Sequence, residues 1–251
     1  MLGRIKNLRG RRLAAAVVGG GLLAVVVVFL VIYFVIFPTS SPKPFRLTPA
    51  SASTTTATST TTTPASTATP GSLTGNWQIA SGSLAGYRVR EKLAFLPAQS
   101  DAVGRTSQIT GSAVFEQKGE EVTITRANFT VNVESLKSDR SMRDEKIRQI
   151  GLESERYPTA TFVLDSPLQL SRRAIEGKVA HVSTTGTFEI HGVFKRETLP
   201  LEATLAGSTF EAAGSLTFPW AEFGMTAPSV GGFVNVTGKA TLEFELRLQQ
   251  G

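Results

Sequence analysis

Residues that could do chemistry are few in this chain, and the histidines come first. His181 and His191 are the two histidines of the sequence, and they fall ten residues apart on one face of a single predicted strand. At about 3.3 Å per residue, they are too far apart to bind one metal ion. We therefore expect outward-facing strand residues here and predict no metal site.

Carboxylates that lie close together can act as a general acid and base. Glu120 with Glu121, and Glu153 with Glu155, have this spacing, but both pairs fall in loop-like sequence where solvation is expected. The chain has no cysteine, which excludes thiol catalysis, disulfides and thiolate metal sites. Phosphate-binding, dinucleotide-binding and nucleophile motifs are not found. A hydrolase is thus the weakest functional hypothesis, and we predict neither an enzyme nor a resident cofactor.

Glu91 is the ionisable residue whose position matters most. It shares parity with Tyr87 and Val89 on a predicted strand, so it can point inward. An inward carboxyl needs a partner or stays protonated, and Arg88 and Arg90 face the other way. The alternative is that the strand has ended by Glu91 and the side chain reaches water.

The stretch from residue 122 to 164 organises the elements around these residues. Apolar and polar residues alternate up to Val133, as in a half-buried strand, and residues 142–150 favour a short helix that closes at Gly151. Tyr157-Pro158 then biases the chain toward a strand. The charged helix positions are expected to form an exposed face with local ion pairs, or alternatively to meet anionic lipid head groups; they are Arg140, Arg143, Lys146 and Arg148.

Elsewhere the domain alternates in the same way, most clearly from Val234 to Leu248. Residues 96–107 read as a loop, and Arg172-Arg173 marks a turn. Long antiparallel strands with one short helix predict an all-β fold, an antiparallel barrel of about eight strands. Its inward apolar face suits a packed core as well as a lipid tunnel, so the alternation does not decide between them.

Three blocks carry a family resemblance. The first runs from Ser135 to Phe162 and includes Tyr157-Pro158-Thr159-Ala160-Thr161-Phe162, the second is Gly186 to Val193 with Leu199-Pro200-Leu201, and the third is Glu222 to Val234. In order and content they resemble the YceI-like family over about residues 75–248. The resemblance implies a lipocalin-like barrel with a through-going cavity for a long isoprenoid lipid. Where the family usually has a histidine at the end of its first strand, this chain has Glu91.

From the resemblance and the strand parity we predict an interior that binds lipid, lined by apolar residues and with Glu91 at its polar end. The predicted lining residues are Tyr87, Val89, Phe129, Val131, Phe162, Phe188, Ile190, Phe218, Val234, Val236, Leu242 and Phe244. The favoured partner is a long apolar lipid of the isoprenoid or quinone type. The alternative is a structural or interaction module with a packed, ligand-free barrel.

The N-terminal region differs sharply in composition. Residues 1–72 hold seven of the 26 basic residues and none of the 20 acidic ones, so the excess of positive charge is no nucleic-acid footprint of the folded domain. Residues 13–37 contain no charged residue and exceed the roughly 20 needed to cross a bilayer. Basic residues concentrated in 1–12 place that end in the cytoplasm. A cleaved signal peptide is the alternative.

Residues 38–72, rich in Ser, Thr, Pro and Ala, have little to bury and are predicted to be a disordered linker. The sequence thus predicts a cytoplasmic N-terminus (1–12), a transmembrane helix (13–37), the linker, and a barrel domain (73–251). We expect a single-pass plasma-membrane protein with an extracytoplasmic barrel in a bacterial envelope.

Overall fold

The structure, a computed structural model, describes residues 41–47, 72–94, 99–232 and 234–251. The chain divides into two units, residues 1–41 and 42–251, and the second contains the barrel. The predicted membrane segment 13–37 lies outside the described residues, as does most of the predicted linker. Among the residues that are described, none belongs to a helix long and apolar enough to span a bilayer.

The described part of the second unit is a set of antiparallel strands with short helices. The strands are β1 (Gly75–Ile79), β2 (Leu84–Leu93), β3 (Ser100–Thr106), β4 (Ile109–Lys118), β5 (Glu121–Asn132), β6 (Thr159–Leu164), β7 (Leu168–Leu170), β8 (Ala180–Ile190), β9 (Val193–Ala206), β10 (Thr209–Phe218), β11 (Ser229–Val230) and β12 (Val234–Gln250). The helices are α1 (Ser141–Gln149) and α2 (Arg172–Ile175), with single 3-10 turns at Val133–Ser135 and Trp220–Phe223.

Strand β1 closes the sheet into a ring. It pairs with β4 on one side and with the end of β12 on the other, which completes the circuit β1-β4-β5-β6-β8-β9-β10-β12. The hairpin β2–β3 pairs with the first part of β12 and extends the wall there. Eight antiparallel strands in a closed ring confirm the predicted barrel, and closure leaves those strands without exposed edges.

Two predicted boundaries were wrong. The segment expected to be a loop at 96–107 contains strand β3, because its backbone pairs with β2 from Ala85 to Glu91 and its Asp101 carboxylate binds Arg88 at 3.2 Å. The expected turn at Arg172-Arg173 is the short helix α2, because Ser171 caps it by accepting a hydrogen bond from the Ala174 amide.

Strand β12 keeps its predicted parity despite an interruption. Its pairing with β2 shifts register between Thr237 and Thr241, where Gly238 adopts a φ of 73°. Four residues of β12 advance against two of β2 across this bulge, so an even number is inserted. Val236 and Leu242 therefore face the same side of the wall, as the alternation predicted.

The core has two ends. At one end Trp77 and Phe115, each only 1% exposed, pack ring to ring at 4.9 Å, and Phe115 meets Phe210 edge-on at 5.2 Å. At the other end Phe218 packs edge-on against Phe223 at 4.7 Å, close to the segment that carries α1. We refer to the end with the first cluster as the closed end and to the end at α1 as the mouth.

Candidate functional site

A cavity of about 310 Å³ runs through the barrel between these two clusters. Its wall is almost entirely apolar, and all twelve residues predicted from strand parity line it. The charged residues that line it are Glu91, Arg140, Arg143 and Lys146, at the mouth. Whether the twelve residues contact a lipid stays a prediction, but their inward orientation is a property of the structure.

The inward side chains do not fill the barrel. Val89, Phe188, Ile190 and Phe218 are buried, whereas the other eight predicted lining residues are only partly buried although they face inward. A side chain that faces inward and still meets solvent-sized space borders a void. Close-packed interiors leave few voids larger than a water molecule, so this barrel differs from a filled one.

Glycines explain why the aromatic rings leave the axis open. A methyl group at Gly104 would come within 2.3 Å of Tyr87 Cε1, because the Tyr87 ring lies flat over the glycine opposite it on β3. Three other rings lie over glycines of neighbouring strands in the same way: Phe129 over Gly111, Phe162 over Gly186, and Phe244 over Gly214. Each ring thus lies against the wall instead of projecting toward the axis.

The mouth carries a buried ion pair that the sequence did not predict. Glu91 is 4% exposed, so it does point inward, and its carboxylate accepts hydrogen bonds from Arg143 Nη2 at 2.5 Å and Nε at 3.4 Å. Arg143 also binds Asp139. Its predicted place on an exposed helix face is wrong, because the guanidinium reaches over the rim to the buried Glu91 carboxylate and is itself only 13% exposed.

Arg143 therefore stays positively charged in its buried position. Burial works against the guanidinium, but hydrogen bonds and charges from Glu91 and Asp139 outweigh burial and raise the pKa of Arg143 above its usual value. The ion pair offers both hydrogen-bond donors and acceptors at the end of an otherwise apolar space. It is the site's most distinctive polar feature.

Tyr87 lies beside this pair. Its hydroxyl is buried and lies near the Ser138 side chain, whose own hydroxyl donates to Asp144 Oδ1 at 2.6 Å. Burial raises the pKa of Tyr87, so the phenol stays protonated at any physiological pH.

The segment from α1 to Tyr157 is fastened to the barrel at its far end by His191. That histidine was expected to face outward from a strand, but it sits just past β8 in a turn with φ 54°. There its Nε2 lies 3.3 Å from a Glu153 carboxylate oxygen and its ring packs 4.3 Å from Tyr157. His191 and Gly192 both adopt positive φ in the turn after β8, so the strand ends at Ile190 and His191 does not follow its alternation of faces.

Sequence reasoning missed lining residues at both ends of the cavity. Those at the mouth come from α1 and the following loop, and those at the closed end come from β5, β7 and β10. They include Met142, Ile147, Ile150, Leu152, Ile124, Leu168 and Phe210. The apolar Met142 and Ile147 in an otherwise charged helix, with Ile150 just after it, were the available signal for the mouth.

A family model described as the YceI-like domain matches residues 77–248. A similar solved structure is that of a polyisoprenoid binding domain from Saccharophagus degradans implicated in plant cell wall breakdown: 14% identity, 71% of this chain and 99% of that chain covered, TM-score 0.50. Burkholderia cenocepacia BcnA is similar at 18% identity, 65% and 95% coverage and TM-score 0.47. The Campylobacter jejuni YCEI protein is similar at 17% identity, with 64% of this chain and 91% of that chain covered and a TM-score of 0.46.

At such identities the first of these structures supports a shared fold and nothing finer. No curated protein matches this chain in sequence.

Proposed function

Because the chain belongs to the YceI-like domain family, we propose that its barrel binds one long apolar lipid, of the isoprenoid or quinone type, inside the cavity. The family match over residues 77–248 confirms the resemblance of the three sequence blocks. Family membership supports lipid binding at a coarse level, and it fits a binding protein better than an enzyme. The identity of the lipid is part of the proposal.

The observation that carries the proposal is the long cavity with apolar walls and one polar end. Transfer of hydrocarbon from water into such a space is favourable by roughly 25 cal/mol per Å². A ligand that buried about 400 Å² would gain on the order of 10 kcal/mol before the cost of association is subtracted. A filled barrel offers no such area.

The polar mouth bears on the head group. Arg143 is already matched by Glu91 and Asp139, so beside this pair hydrogen-bonding atoms of a head group are favoured over an additional unmatched charge. The lipid would enter tail first, with its chain toward the closed end and its head near the ion pair.

The proposal includes a membrane anchor. Residues 13–37 are long and apolar enough to cross a bilayer, and the basic residues before them favour a cytoplasmic N-terminus with the barrel outside. A tether would keep the barrel near its lipid source and raise the effective concentration of that lipid. These statements rest on the sequence.

The test replaces one wall residue with a charge. Phe188 is 4% exposed and packs 4.9 Å from the Phe162 ring in the middle of the wall, whereas Phe194 is 64% exposed. Phe188→Glu should abolish lipid retention, because a carboxylate in the apolar wall is costly beside hydrocarbon. Phe194→Glu is the matched control and should retain lipid. Equal lipid content in the two variants, both folded by circular dichroism, would reject the proposal.

A further inference from the structure

The outer wall of the barrel holds a carboxylate that is almost completely buried. Glu243 lies between two cavity-lining residues of β12, so it faces outward, yet it is only 2% exposed. Arg88 Nε donates to it at 3.1 Å and Arg105 Nη2 at 2.9 Å. Burial of an outward-facing carboxylate requires something that covers it.

Arg88 and Arg105 cover this carboxylate, and both also bind the chain's own segment 42–47, which the composition assigned to a disordered linker. Arg88 Nη2 donates to the Pro42 carbonyl at 2.7 Å, and Arg105 Nη2 donates to the Lys43 carbonyl at 2.6 Å. The Arg105 guanidinium carbon also lies 3.9 Å from the centre of the Phe45 ring, a cation–π contact. Each arginine thus joins the buried carboxylate to the backbone of the segment.

A second carboxylate holds the far end of the segment. Glu202, on β9, accepts a hydrogen bond from the Leu47 amide at 2.8 Å and one from Arg46 Nη1 at 3.0 Å. Leu47 itself is 8% exposed and Glu202 is 9% exposed. Hydrogen bonds to a desolvated carboxylate are stronger than surface ion pairs, so this end is firmly seated.

The chain is held again just after the undescribed residues 48–71. The Leu73 amide donates to Gln117 Oε1 at 2.8 Å, and Trp77 Nε1 donates to the Leu73 carbonyl at 3.0 Å. Both flanks of the Ser/Thr-rich stretch are therefore bonded to the barrel, one through Glu202 and the other through Gln117.

We infer that residues 42–47 are a clasp, bound by an outer-wall site of Arg88, Arg105, Glu202 and Glu243, that makes the tether of the barrel short. Residues 48–71 then lie in sequence between two points that are both bonded to the barrel, so they do not count toward the length of the tether. The chain between the clasp and the predicted membrane segment is residues 38–41, at most about 14 Å when extended. Residues 38–71 as a free coil would span roughly 30 Å. This tether length adds a detail to the proposed membrane anchor and rests on that proposal.

Trypsin tests the clasp in the full-length chain. The Arg46–Leu47 bond lies inside the clasp, so it should be protected, and Glu202→Gln should speed its cleavage about tenfold by weakening the carboxylate's bonds. Glu202→Lys, which repels Arg46, should speed cleavage further. Glu211→Gln is the matched control, because Glu211 pairs with Arg247 on the same wall at 3.5 Å. Wild-type cleavage as fast as that of Glu202→Lys would overturn the clasp.

Energy transfer in vesicles tests the tether. Since the chain has no cysteine, Ser208→Cys in the exposed turn between β9 and β10 gives one dye site. With acceptor lipids in the bilayer, adding Glu202→Lys should lower transfer as the tether lengthens by on the order of 20 Å. Unchanged transfer would overturn the short tether. A chain that fails to float with vesicles would refute both the membrane anchor and the tether. Trypsin protection tests the clasp independently of the anchor, and lipid content tests the cavity independently of both.

Discussion

Replacing Ala127 with phenylalanine separates an open barrel from a filled one. Ala127 lies on β5, lines the cavity and is only partly buried, because the void reaches it. A phenyl ring there projects into space that a ligand would otherwise occupy. Overpacking a filled core by this much costs about 1–3 kcal/mol, whereas an open cavity accepts the ring and gains from its burial.

The loss of lipid affinity in Ala127→Phe follows from the apolar contact area that the new ring takes from the ligand. A ring at residue 127 displaces roughly 100 Å² of hydrocarbon contact, which at 25 cal/mol per Å² is about 2.5 kcal/mol. Lipid affinity should therefore fall by about 50- to 100-fold. The free energy of unfolding of the lipid-free variant should be unchanged or raised by up to about 2 kcal/mol.

The assay pairs two measurements on each variant. Bound lipid is quantified after purification, and the lipid-free protein is unfolded in urea. Val163→Phe is the control, because Val163 is 50% exposed on the outer face of β6. Loss of stability in Ala127→Phe together with normal lipid content would refute the open-cavity account.

Three further predictions concern single contacts. Arg143→Met leaves Glu91 buried without its partner and should lower the free energy of unfolding by about 3 kcal/mol, much of it recovered by adding Glu91→Gln; additive losses in a urea double-mutant cycle would contradict the pairing. Burial raises the pKa of Tyr87 above its ordinary 10.0, so the unfolded chain deprotonates first. The stability that Tyr87 contributes should be fully present below pH 10 and decrease above it. In melting curves at pH 9–11, Tyr87→Phe should therefore lose less stability than the wild type as the pH rises; an equal loss in the two proteins would contradict the raised pKa of Tyr87. Gly104→Ala should push the Tyr87 ring toward the axis and reduce lipid content severalfold, and an unchanged content would disprove the role of the glycine.

The sequence was informative where one physical pattern controls the outcome. Strand parity placed Phe129 and Phe162 on the inner face, because alternate residues of a strand share a face and the apolar set faces the interior. Even the bulge at Gly238 preserved the assignment beyond it, since it inserted an even number of residues.

What escaped the sequence depended on partners distant in the chain. Glu91 and Arg143 are 52 residues apart, and nothing local in either stretch shows that they meet. The clasp is harder still, because Leu47 finds Glu202 across 155 residues and its composition is that of a linker. Parity could show that the barrel had an apolar inner face, but the open axis depended on which glycine each ring lay against.

The most direct measurement is extraction of the purified full-length protein with organic solvent, followed by mass spectrometry of what is released. The account predicts close to one long apolar lipid, isoprenoid or quinone in type, per barrel, and much less from Phe188→Glu. A protein that releases no such lipid, and binds none when isoprenoid lipids are supplied to it, would contradict the central claim.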